Sequence, residues 1–140
     1  MHFENVVSIA ASAETVWNVL TDLESWPEMT PSITSIERVD SGPLRVGSRV
    51  KIKQPSLPVT TWTVTEYVDG QRFVWEAKSP GARTTAVHAV LEAVGSTSLR
   101  LEIDQAGLMG GVVGVLFGGM TRKYLGSEAE GVKQRAEKHA

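Results

Sequence analysis

Six stretches of β pattern separated by turn chemistry, followed by one long helical tract, leave this chain few ways to fold. Strands are predicted at Ile33–Asp40, Ser48–Gln54, Thr60–Val68, Arg72–Lys78, Arg83–Val94 and Ser98–Gln105, where β-branched and aromatic residues concentrate. Asp69-Gly70 stands between two aromatic-rich stretches and is a strong hairpin signal, since the tight turns that match strand twist need positive φ. Ser41-Gly42-Pro43, Ser79-Pro80-Gly81 and Gly95-Ser96 punctuate the remaining stretches and support a meander. In the last stretch Leu99, Leu101 and Ile103 alternate with Arg100, Glu102 and Asp104, the pattern of a sheet buried on one face and wet on the other.

Before the meander, Phe3–Ala10 reads as a further strand and Ser12 as the N-cap of a helix, with Glu14 favourable in its first turn. The capping box is incomplete, because Thr15 stands where Glu or Gln is wanted. Val16, Leu20 and Leu23 follow at helical spacing and Trp17 widens the apolar face. Pro27 and Pro31 forbid one continuous helix beyond this point. Within Asp22–Ile33, a large aromatic directly before a proline, Trp26-Pro27, suggests a wall or lid on something hollow. From about Leu108 to Lys138 the chain reads as a single helix about 45 Å long. Lys133, Arg135 and Lys138 sit near its C-terminal end, where positive charge is favourable.

Composition excludes several classes of function. The 140 residues suit a single domain spanning 1–140, with no internal repeat or low-complexity tract. A formal net charge of -2 gives no basic footprint for nucleic acid. Absence of cysteine removes disulfides, thiol nucleophiles and thiolate metal sites. The first residues are too polar to begin a signal peptide, so a cytoplasmic protein is expected. Ala106–Met120 is uncharged, with Gly110, Gly114 and Gly118 spaced as in membrane helix dimers. It reaches Arg122 and Lys123 before the ~20 apolar residues a span requires, so no stable membrane insertion is expected. There is no Gly-x-Ser-x-Gly, phosphate-binding or dinucleotide glycine loop, and His2, His88 and His139 are dispersed. Neither metal nor cofactor is expected.

At this point the chain resembles the START-like superfamily, the helix-grip fold shared by polyketide cyclases, lipid-transfer START domains and birch-pollen allergens. The resemblance rests on Ser12–Trp17, Trp26-Pro27, Trp62-Thr63-Val64 and Phe73-Val74-Trp75 around the Asp-Gly turn, and Glu130-Gly131-Val132-Lys133, in that order across essentially the whole length. Small bacterial members of the polyketide cyclase/dehydrase-like kind are most similar. Met29 departs from a second aromatic often found just after Trp-Pro. The resemblance implies an α+β architecture: a curved seven-stranded antiparallel sheet wrapped around the C-terminal helix, with two short helices after the first strand and a cavity between sheet and helix.

Within that frame the sequence nominates Trp26, Trp62, Val64, Phe73, Trp75, His88, Val113, Phe117, Met120 and Tyr124 as ligand-binding residues. Trp62 and Val64 share one strand face, as do Phe73, Trp75 and Ala77, and these are natural lining for a concave sheet or simply core. Trp26 is expected at the rim, forming with Val112–Met120 the two jaws of one entrance. His88 lies mid-strand with either face open to it; facing inward it offers a hydrogen bond or a proton-transfer group, with Glu66 or Tyr67 as partner. Glu66 shares parity with Trp62 and Val64 and is expected at the wet end of its strand.

Gly110, Gly111, Gly114, Gly118 and Gly119 weaken the first turns of the last helix by about 0.8–1 kcal/mol each relative to Ala. Either the glycine face turns inward and leaves room for a ligand, or the bulky face does and the glycines admit a close neighbour. In both cases Val112–Met120 is expected to gate the cavity. The leading functional expectation is a carrier or sensor of a hydrophobic small molecule, lipid-like or polyketide-like, acting as a monomer or weak homodimer. A cyclase or dehydratase using acid–base chemistry in the cavity is second, and a protein-interaction module third.

Overall fold

The structure is a computed structural model of the chain. It describes every residue except Leu108 and Met109, and describes residues 110–117 as helical backbone without their side chains. The elements are β1 (His2–Ile9), α1 (Ala13–Thr21), a single 3-10 turn (Leu23–Ser25), α2 (Trp26–Met29), β2 (Ser35–Arg38), β3 (Arg49–Lys53), β4 (Thr60–Val68), β5 (Arg72–Ser79), β6 (Ala82–Ala93), β7 (Ser96–Ala106) and α3 (Gly110–Lys138). All seven strands form one antiparallel sheet in the order β1-β7-β6-β5-β4-β3-β2. The meander is therefore sequential from β2 to β7, and β1 adds to the far edge beside β7. The curved sheet grips α3, as the helix-grip expectation requires.

Local chemistry explains the boundaries. Ser12 caps α1, its Oγ accepting from the Thr15 amide at 3.1 Å, and the two hydroxyls pair at 2.9 Å. Threonine thus closes the cap where a carboxylate is absent. Pro27 sits in the first turn of α2, where its missing N–H costs nothing. Gly70, Gly81 and Gly95 hold the hairpin turns at φ of 75°, 76° and 77°.

The core lies between the concave face of the sheet and the helices. Phe3, Val50, Phe73, Leu99 and Leu101 from the sheet meet Val16, Trp17 and Leu20 of α1 and Leu125, Ala129, Val132 and Ala136 of α3. α3 runs alongside β1 in the same direction: Gly118 packs on the Phe3 ring, Gly126 lies near Asn5, and Lys133 Nζ donates to the Ser8 carbonyl at 3.0 Å. A side chain at Gly118 would place its Cβ 3.4 Å from Phe3 Cζ, so this glycine admits a close neighbour. Gly131 is more constrained, because a Cβ there would lie 2.5 Å from the Met29 carbonyl oxygen. That absence of a side chain is what lets α2 dock on α3.

One feature overturns strand parity. Between Val64 and Glu66 the β4–β5 register shifts: Val64 pairs with Trp75, but Glu66 pairs with Val74 and Tyr67 with Phe73. The bulge at Thr65 passes the inward face from even to odd positions. Glu66 accordingly faces water with a half-exposed Arg72 guanidinium 2.7 Å away, while Tyr67 turns toward the Trp17 ring, centroids 5.8 Å apart.

Candidate functional site

Between the sheet and α3 the fold encloses a cavity of about 320 Å³, at the lower end of the range of small-molecule sites. Its described lining comes from nearly every layer: Trp26 of α2, Ile33 before β2, Ile52 of β3, Trp62 of β4, Trp75 and Ala77 of β5, Thr84, Ala86 and His88 of β6, and Leu101, Ile103 and Gln105 of β7. Met120, Thr121, Tyr124, Leu125 and Glu128 line it from α3, and Gln54, Leu57 and Pro58 cover it from the β3–β4 loop. From Met120 onward, then, it is the bulky and polar face of α3 that borders the cavity, with Gly118 turned to Phe3.

Six of the ten nominated ligand residues border this space: Trp26, Trp62, Trp75, His88, Met120 and Tyr124. Val64 and Phe73 do not; they are 1% and 0% exposed and serve as core behind the wall. Val113 and Phe117 lie outside the residues whose side chains are described, and with them falls most of the expected Val112–Met120 gate. Trp26 is a wall residue and not a rim. It is 4% exposed, its indole N–H donates to the Leu20 carbonyl at 3.0 Å, and its ring lies 5.4 Å from Trp75. Two short helical elements bring it inward, because Leu23 and Trp26 are buried together on one side of the 3-10 turn and α2.

The β3–β4 loop also covers the cavity. Tyr124 Oη donates to the Pro55 carbonyl at 2.6 Å, tying this loop to α3. The next residue, Ser56, holds a left-handed φ of 65°, the one such non-glycine among the described residues. Strained backbone of this kind persists where its surroundings over-determine it.

His88 faces inward, opposite Phe73 in the β5–β6 register. Its ring stacks on Phe73 with centroids 4.3 Å apart, and it meets Trp75 edge-on at 4.9 Å and Trp26 at 5.8 Å. Its Nδ1 lies 3.4 Å from the Phe73 carbonyl oxygen, which can only accept, so Nδ1 carries the proton and Nε2 is the free acceptor. Burial among these rings pushes the imidazole down to about 3, against the opposing pull of that carbonyl. His88 is therefore neutral. Neither proposed partner joins it: Glu66 faces solvent and Tyr67 packs on Trp17, its hydroxyl donating to Asp69 at 3.0 Å.

The cavity carboxyl that sequence reasoning missed is Glu128. It borders the cavity from α3, with no hydrogen-bond or ion-pair partner among the described residues. Burial pushes its carboxyl up to about 8. β1–β7–β6 register places Asn5, Leu101 and His88 in one row, and Gly126 approaches Asn5, so Glu128 stands near the level of His88. The available signal was the inward stripe of α3: Glu128 is three residues after Leu125 and shares its face. Nearer the glycine-rich end, Gln105 is 8% exposed, borders the cavity beside its strand neighbour Thr84, and leaves Oε1 without a partner. The pocket thus has aromatic and aliphatic walls with a few polar groups converging on it.

Comparison with known proteins agrees with this architecture. The family model described as polyketide cyclase/dehydrase and lipid transport matches residues 1–139. A search of curated proteins finds no match. Among solved structures, the Zhui aromatase/cyclase from Streptomyces sp. R1128 superposes with a TM-score of 0.79 at 18% identity, covering 99% of this chain and 94% of that one. A START superfamily protein from Mycobacterium smegmatis superposes at 0.72 and 19% identity, covering 96% of this chain and 97% of that one. At such identities the likeness shows the fold. No helix among the described residues is long and apolar enough to cross a membrane.

Proposed function

This chain belongs to the polyketide cyclase/dehydrase and lipid transport family, and from that membership we propose that it binds a hydrophobic small molecule in the cavity between sheet and α3. The observation carrying this reading is the cavity itself, about 320 Å³ walled by Trp26, Trp62, Trp75 and aliphatic side chains. Burying a ligand's apolar surface against such a wall supplies about 25 cal/mol per Å² removed from water. The wall's few polar groups set orientation more than affinity. Binding without turnover is favoured because His88, held neutral with Nδ1 engaged by Phe73, is a weak base near neutral pH.

Native mass spectrometry of the protein as purified tests the reading directly. A small molecule retained in the gas phase, and lost when Trp75→Ala opens the wall, is the expected result. A protein that neither retains nor takes up any apolar compound overturns it.

A second reading has one observation in its favour. The cavity carries a carboxyl held protonated and an imidazole held neutral, Glu128 and His88, which is an acid and a base kept apart by their surroundings. A cyclase or dehydratase would use Glu128 to protonate a departing hydroxyl and His88 Nε2 to accept a proton. His88→Ala discriminates the two: a carrier keeps its affinity largely intact, whereas an enzyme loses turnover.

A further inference from the structure

The hydrogen-bonding groups of the cavity wall are unevenly committed. Trp26 Nε1 donates to the Leu20 carbonyl, Tyr124 Oη to the Pro55 carbonyl, Thr60 Oγ1 to the Pro58 carbonyl at 3.3 Å, and His88 Nδ1 faces the Phe73 carbonyl. These four donors are engaged by backbone. Left over are the Glu128 carboxyl and the indole N–H groups of Trp62 and Trp75, none with a partner among the described residues, the buried and unpaired Gln105 Oε1, and the lone-pair side of His88 at Nε2. A buried polar group without a partner is costly, more so when charged, and a bound molecule that supplies the missing partner recovers that cost.

The wall also carries three indole π systems. Trp62 and Trp75 lie 6.1 Å apart and Trp26 and Trp75 5.4 Å apart, and the cavity is bounded by all three. Ring quadrupoles attract a cation over their faces, the more so where water is excluded. Positive charge is scarce in return: Lys78 is the described basic residue of the lining, its side chain 76% exposed and 3.7 Å from Glu76. An anionic ligand would bring a carboxylate to a carboxyl and to the negative faces of three indoles.

Resting on the reading of this cavity as an apolar-ligand site, we infer that its preferred ligand is an aromatic or aliphatic amine, whose protonated nitrogen is taken by Glu128 and the tryptophan faces. The ammonium carries three donors and no acceptor, and an ionised Glu128 carboxylate is the group of the wall that pairs with it. Glu128 ionises on meeting it and becomes the counter-charge, so the cost of burying either group alone falls on neither.

Three probes sharing one ring system decide this: 1-naphthylmethylamine, 1-naphthylmethanol and 1-naphthoate, each titrated against the intact protein at neutral pH by calorimetry. The amine is expected to bind at least about tenfold tighter than the alcohol, with naphthoate weakest. Glu128→Gln is expected to bring the amine to within about threefold of the alcohol in the same variant. Naphthoate binding as tightly as the amine overturns the inference, as does an amine preference that survives Glu128→Gln. If the variant fails to fold, the ranking on the unaltered protein decides alone. Failure of all three probes, the alcohol included, overturns instead the apolar-ligand reading on which this one stands.

Discussion

The imidazole of His88 lies parallel to the Phe73 ring, centroids 4.3 Å apart and planes 10° from each other, while its Nδ1 faces the carbonyl of that same residue. The cross-strand pair Phe73–His88 thereby fixes a histidine inside an aromatic box and leaves one nitrogen for the cavity.

That geometry makes stability fall in mild acid. The folded imidazole stays neutral until about pH 3, whereas the unfolded one takes a proton near its ordinary 6.5. Stability from this group is complete above about pH 6.5 and declines as pH falls toward 3, at up to about 1.4 kcal/mol per unit. Urea midpoints at pH 7.5 and 5.5 should differ in the native protein, and the difference should shrink in His88→Phe.

Glu128 produces the opposite slope. Its folded pKa, about 8, lies above the ordinary 4.5, so its contribution is complete below 4.5 and is lost as pH rises through 8. Glu128→Gln should leave stability at pH 4.5 unchanged and raise it by about 1–3 kcal/mol at pH 8.5, read as a shift in Tm.

Two glycines of α3 should answer substitution with opposite signs. Gly119 has open space where a Cβ would go, so Gly119→Ala should stabilise by about 0.5–1 kcal/mol through helix propensity. Gly131→Ala gains the same propensity but drives its Cβ into the Met29 carbonyl, 2.5 Å away. It should destabilise by about 1–3 kcal/mol. Because α2 also carries Trp26, this variant alone should weaken ligand binding, visible in tryptophan fluorescence titrations.

Tyr124→Phe removes the hydrogen bond to Pro55 and with it the tie between the β3–β4 loop and α3. A cost of about 0.5–1.5 kcal/mol is expected. The sharper readouts are faster ligand dissociation in stopped flow and earlier proteolysis within residues 54–59.

Local chemistry made most of the architecture legible. Turn glycines and alternation marked the strands, β4 to the residue, Ser12 marked where α1 begins, and Pro27 marked a break in the helical tract. Trp62 and Trp75 border the cavity as strand parity suggests, parity being a property of neighbouring residues, whereas Trp26, expected at the rim, is a buried part of the wall. Glu66 stands at the wet end of its strand as expected, and of the two alternatives open for Val64 and Phe73, lining or core, the structure puts both in the core.

What the amino-acid order determined by itself is thus everything that depends on residues a few positions apart: turns, caps, helix stops and the alternation of faces. Tertiary structure alone decided the rest. The bulge at Thr65 turned Tyr67 inward, a register choice made between two strands and written in neither. Glu128 borders the cavity and Glu130 is exposed because of which face of α3 meets the sheet, a choice that the sequence of the helix left open. His88 became a neutral group in an aromatic box only when Phe73, Trp75 and Trp26 closed around it. Burial acts through surroundings that distant segments assemble, and so the charge states of His88 and Glu128 belong to the fold.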